Sequence, residues 1–267
     1  MSPAVPDLGL LAAPFVAGLV VLATHVPLGI AVLRRGIIFI DLAVAQVAAL
    51  GVIVAGLLHL DERGGALATQ LAAGCAALAA AALLTYCERR WADIQEALIG
   101  LLFVAAAAAG ILLLAGNPHG GEHLRDLLAG QIWWVNWGQI AIVGGLTIGV
   151  LAARAWTARR GGGAGFGFYA LFAVAVTASV QLVGVLLVFA SLIAPAVATR
   201  GLVTGGDEGG RRRLAGAFGV GALGYGGGLV ASLALDLPAG AAIVCLLVLL
   251  ATGGLLVWRR PAGADFR

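Results

Sequence analysis

The sequence predicts an all-α polytopic membrane protein with about nine transmembrane helices. Its N-terminus is expected outside and its C-terminus in the cytoplasm, with residues 1–267 forming one domain. Three observations carry this prediction. Hydrophobic residues make up 61% of the 267 residues and charged residues only 11%, with a mean hydropathy of +1.04. A soluble domain is nearer half apolar and a quarter charged, and a soluble body of this size has too little interior for so much apolar side chain. Apolar runs of about 18–25 residues recur along the whole chain, each long enough to cross the hydrocarbon as a helix. The arginines between those runs segregate to alternate gaps.

The runs are 8–33, 36–58, 66–86, 94–115, 132–153, 166–183, 185–202, 214–235 and 239–258. The first has no basic region before it and reads as a spanning helix, not a cleaved signal. It contains His25 and Pro27, and the proline predicts a bend. The second follows Arg34-Arg35-Gly36 and carries Asp41 near its start, with Gln46 deeper. The fifth opens on Trp133, Trp134 and Trp137, as expected of an interfacial aromatic belt. The sixth and seventh form one continuous apolar stretch, with Gln181 as the polar break near its middle. It is either a hairpin turning near Gln181–Gly184 or one span followed by a partial helix. Gly145–Gly149 and Gly224–Gly228 have the GxxxG spacing that lets helices approach closely. Cys75, Cys87 and Cys245 lie in or beside apolar runs and read as small buried residues.

With the N-terminus outside and the runs alternating, fourteen of the sixteen arginines fall on the cytoplasmic side. Only Arg63 and Arg125 fall outside. This is the positive-inside pattern, and it requires two crossings between Arg160 and Arg211. The outer gaps instead hold Asp7, Asp61, Glu62, Glu122, Asp126 and Asp236 with His59, His119 and His123. The net charge of +3 is thus a topology signal, not a nucleic-acid footprint. There is no lysine anywhere, which excludes a GxxxxGK[ST] nucleotide loop and lysine-based covalent catalysis. No nucleophile–base arrangement stands out, so no enzymatic activity or bound cofactor is expected within this chain.

Three groups of residues have chemistry to offer. His119, Glu122 and His123 place two imidazoles and a carboxylate in one Gly- and Pro-containing loop, a donor set that suits transient contact with a divalent metal such as zinc. A solvated surface loop is the competing reading. Asp41 is an acid inside a span, hence a candidate for the translocation path; an ion pair with Arg34 or Arg35 at the membrane surface competes with that role. Gln46 either lines the same path or bonds a neighbouring helix. Ser191 and Pro195 lie within the seventh run, where the proline frees a carbonyl that can line a path. His25 is either another path residue or a hydrogen-bonded core imidazole.

Several stretches together resemble the membrane permease subunits of bacterial metal-ion ABC importers, the zinc/manganese/iron(II) group. These are Arg34-Arg35-Gly36-Ile37-Ile38-Phe39-Ile40-Asp41, Gln95-Glu96-Ala97-Leu98-Ile99-Gly100 and Asp126-Leu127-Leu128-Ala129-Gly130, followed by Val183–Val188, Leu192–Ala196 and Asp236-Leu237-Pro238-Ala239-Gly240. They occur in the family's order over about residues 10–258. The resemblance implies a multi-pass protein of the bacterial inner membrane. It further implies a homodimer around a central path, a cytoplasmic ATP-binding subunit that hydrolyses ATP, and an extracytoplasmic metal-binding protein. Two departures stand out. Ala45 occupies the place one turn after the aspartate where such permeases usually carry histidine. The segment Arg154–Gly165, where a longer coupling segment is usual, is short, basic and Gly-rich. Read without the resemblance, the same acids also fit an ion-coupled secondary transporter. The reduced segment also fits a non-transporting membrane partner.

Overall fold

The computed structural model describes residues 8–115, 132–159, 165–202 and 207–257. They form nine α-helices: α1 Leu8–Arg35, α2 Ile40–Leu57, α3 Leu60–Arg90, α4 Gln95–Leu114 and α5 Trp137–Arg159, then α6 Phe166–Val183, α7 Val185–Ala198, α8 Asp207–Leu235 and α9 Ala239–Val257. Short 3-10 turns at Ala92–Ile94, Ile132–Trp134 and Arg200–Leu202 link some of them. Eight of these helices are long and apolar enough to cross a membrane. The ninth, α7, has 14 residues and rises only about 21 Å.

The differences from the expected spans have local causes. The fifth helix begins at Trp137, not at residue 132, because Asn136 caps it. The Gln139 N–H donates to Asn136 Oδ1 at 2.9 Å and the Asn136 N–H donates to Gln139 Oε1 at 3.1 Å, a reciprocal capping box. The third helix begins at Leu60 and passes through a non-helical Gly65. The seventh run ends as a helix at Ala198. There the Pro195 carbonyl accepts from both the Thr199 N–H (3.3 Å) and the Thr199 hydroxyl (2.8 Å), and the Arg213 guanidinium caps the Ala196 carbonyl at 3.3 Å.

Between α6 and α7 the chain turns on a single residue, Gly184, at φ 84 and ψ 162. Only glycine enters that region of backbone space readily. Its N–H still closes α6 on Val180 and its carbonyl opens α7 by accepting from Val188. Two separate helices thus occupy the sixth and seventh runs.

Helix directions follow from close contacts at glycine. Gly18 lies against Tyr225 and Gly221 against Leu22, so α8 runs antiparallel to α1. Gly224 meets Leu247 and Gly228 meets Ile243, so α8 is antiparallel to α9 as well. This second pair is the GxxxG step read from the sequence, and it does let two helices touch. Gly145 and Gly149, by contrast, have open space where a Cβ would be. Gly29 of α1 packs directly on the Leu192 carbonyl of α7, leaving no room for a side chain.

The core centres on α1, α2, α6 and α7, with Tyr169, Phe172, Tyr225, Leu22 and Leu192 fully enclosed. Trp134 and Trp137 are exposed on the flank. All three cysteines are free, and two of them correct the expectation. Cys75 and Cys245 are exposed and only Cys87 is buried. The outside of a membrane bundle meets lipid as apolar as its interior, so an apolar run does not say which face of its helix is covered.

Candidate translocation site

The start of α2 places the first acid. Helix α1 ends with Gly36 at φ 73 and an Ile37 N–H to Val32 carbonyl bond of 3.4 Å, a left-handed glycine cap. A few residues later α2 begins, and Asp41 is its second residue. A carboxylate in a first turn complements the helix dipole. Solvation of its oxygens is another matter: Asp41 is 1% exposed, and only its own N–H and that of Leu42 are near its carboxylate, neither making a full hydrogen bond. The surface ion pair considered above does not form among the described residues. Arg35 instead faces Glu88 at 3.8 Å and lies over the Phe168 ring at 3.9 Å.

A second acid comes from α4. Phe39 meets Glu96, and Ile53 lies near Gly110, so α2 and α4 run parallel and their N-termini lie side by side. Glu96 is the second residue of α4, as Asp41 is of α2. Its Oε1 accepts from the Phe39 N–H at 3.1 Å, while its Oε2 is buried without a partner. Phe39 lies two residues before Asp41, so Glu96 stands beside the turn that carries Asp41. Two acids thus stand at adjacent helix starts, and three of their buried oxygens make no full hydrogen bond. Phe39 stacks on Phe189 of α7 with ring centroids 6.2 Å apart, so the helix after the Gly184 break leans on this corner. Glu96 was not among the side chains singled out from the sequence as site residues. It stands near the start of an expected span, as Asp41 does, and that was the available signal.

The remaining sequence candidates have other surroundings. Ala45, one turn beyond Asp41, is buried, and Gln46 is half-buried. His25 is fully buried. Its Nδ1–H donates to the Val21 carbonyl at 2.9 Å, since a carbonyl can only accept, and Nε2 is left with a lone pair and no partner. The Ser191 hydroxyl donates to the Leu187 carbonyl at 2.6 Å and pairs with the Tyr225 hydroxyl at 2.9 Å, tying α7 to α8. Pro195 is buried one turn before the end of α7. His119, Glu122 and His123 lie outside the described residues. Among the described residues no three His, Cys, Asp or Glu side chains gather closely enough to hold a metal ion. The Asp41–Glu96 pair therefore offers part of a coordination shell. A cavity of about 740 Å³ between α7, α9 and Trp133–Trp134 has apolar walls and offers an ion nothing.

The sequence pattern of the ABC 3 transport family matches residues 8–160 and 164–257, nearly all of the chain. The chain belongs to the ABC 3 transport family. It is a multi-pass bacterial membrane protein and the permease subunit of an ABC transporter. Its fold is similar to that of PsaBC from Streptococcus pneumoniae, solved in complex with Fab. The TM-score is 0.70 at 20% identity, with 91% of this chain and 90% of that one covered. No curated protein matches it.

Proposed function

We propose that this ABC 3 permease is the membrane path of an ATP-driven importer for divalent metal ions. It works as a homodimer with a separate cytoplasmic ATPase and an extracytoplasmic metal-binding protein. The observation that carries the reading is the Asp41–Glu96 pair. Two carboxylates in a membrane bundle, with three buried oxygens lacking a full hydrogen bond, are costly unless a cation joins them, and polar groups kept at such cost mark an ion path. Oxygen donors without a neighbouring imidazole favour a harder ion, manganese or iron(II), over zinc. With so few protein ligands the ion completes its shell from water or backbone carbonyls, and contact is brief, as passage requires. His25 Nε2, on α1, is proposed as a donor at another point of the path, and His119, Glu122 and His123 are proposed to receive the ion from the binding protein. Gln46, Ser191 and Pro195 complete the proposed wall, with Ser191 and Pro195 shaping α7. A gradient-coupled mechanism would need acids deeper in the spans than a pair at two helix starts.

The test is ATP-driven uptake of manganese(II) by the complete transporter in proteoliposomes. Asp41→Asn and Glu96→Gln are each expected to lower uptake by about tenfold or more, with assembly and ATPase association retained. Wild-type uptake in both variants at equal incorporation would overturn the path role of the pair.

A further inference from the structure

A second polar feature lies away from the carboxylate pair and goes beyond transport itself. The C-terminal turns of α1 and α5 and the first turns of α6 enclose a cavity of about 390 Å³. Arg34, Arg35 and Arg154 form its polar wall, and Leu28, Val150 and Leu171 its apolar floor. The three guanidiniums line one space, so three like charges stand together there. Part of their hydrogen-bonding capacity is already used. Arg154 Nη2 donates to the Pro27 carbonyl at 3.2 Å, and Arg35 has Glu88 and the Phe168 ring. Among the described residues Glu88 is an acid paired with this wall, which carries three cations. Helix dipoles at the ends of α1 and α5 favour cations there but do not require three to face one cavity.

We propose that this cavity holds the phosphate of an anionic phospholipid headgroup. Charge complementarity selects the anion, because guanidiniums bind phosphate oxygens through forked N–H pairs. Depth selects the lipid. Basic pockets between helices at the membrane surface are where anionic headgroups dock, and an apolar floor continuing from the polar wall receives the start of an acyl chain. The bound lipid would brace α1 against α5 and α6, and its phosphate would offset the repulsion among the arginines.

The test uses the full-length chain purified in mild detergent and exchanged with phosphatidylglycerol, phosphatidylcholine or inorganic phosphate. Native mass spectrometry then counts what is retained. Phosphatidylglycerol should be kept in preference to phosphatidylcholine. Retention should fall about fivefold for each guanidinium removed in Arg34→Gln and Arg154→Gln. Arg154→Lys should keep part of it, and Arg211→Gln, outside the cavity, all of it. Arg34 is exposed, so its variant reports binding without risk to the fold. Equal retention of the two lipids, or retention unchanged in both Gln variants, would overturn the proposal. So would inorganic phosphate binding the site while no lipid is kept. Loss of ATPase association in these variants with lipid retention intact would also overturn it, in favour of a protein contact.

Discussion

Asp41 and Glu96 are costly residues to keep. Each occupies the second position of a helix, where a carboxylate gains from the dipole, but that gain is at most about 1–2 kcal/mol. It falls short of the several kcal/mol of desolvation that an unpartnered buried carboxylate carries. The two acids also repel each other. Removing one should therefore leave the fold intact or raise its thermal stability while uptake falls. A scanning-fluorimetry melt on Asp41→Asn beside the uptake assay separates these outcomes. A large drop in melting temperature would make the pair structural. The double variant should be little worse than either single one, because both act on one ion. Ala45 sits one turn beyond Asp41, and Ala45→His would add an imidazole to an all-oxygen set. It is expected to shift preference from manganese toward zinc, read as the ratio of the two metals taken up in competition. An unchanged ratio would mean that position 45 does not face the ion. Asp41 was legible from the sequence because an acid in an apolar run stands out. Its pairing with Glu96 was not, because it depends on α2 and α4 running parallel with their starts abreast, and hydropathy carries no such information.

At the scale of elements, hydropathy located every helix in the described residues but not where each one ends. Ends are decided by groups whose hydropathy is unremarkable: Asn136 with Gln139 at the start of α5, Gly36 after α1, and Gly184 between α6 and α7. Helix contacts were legible where glycine spacing coincided with a facing helix, as at Gly224 and Gly228, and misleading where it did not, as at Gly145 and Gly149. The difference predicts opposite outcomes. In Gly29→Val a side chain would be driven into the Leu192 backbone, and overpacking of that kind costs about 1–3 kcal/mol or more. Gly145→Val points into open space and should leave the melting temperature within a degree or two of the parent, on the order of a surface substitution. Ser191→Ala should fall between them. It strands the buried Tyr225 hydroxyl, at about 1–3 kcal/mol. Thermal melts of the three variants in one detergent order them. A Gly145→Val variant as damaged as Gly29→Val would mean that this face is covered in the assembled protein.

For the whole molecule, the short helix α7 decides the topology. Helices that alternate across the membrane give the first and eighth opposite directions, and α8 does run antiparallel to α1. Merging α6 and α7 into one crossing would make α8 the seventh and turn it parallel to α1. The parity of the bundle thus agrees with the arginine count, which independently asked for two crossings between Arg160 and Arg211. The cost lies in length: a rise of about 21 Å is short of about 30 Å of hydrocarbon. The Arg200–Leu202 turn extends α7 at one end, and Phe189, in the second turn after Gly184, stacks on Phe39 at the start of α2. The shortest helix is thus the one that reaches the candidate path. Cysteine accessibility tests this arrangement in a background with Cys75, Cys87 and Cys245 replaced. In intact cells a membrane-impermeant maleimide should label His59→Cys and Asp236→Cys, the turns after α2 and α8. Gly36→Cys and Leu202→Cys should react only after permeabilisation. Labelling of Leu202→Cys from outside would mean that α7 does not cross. The nine-crossing topology and the arginine segregation it rests on would then fall together.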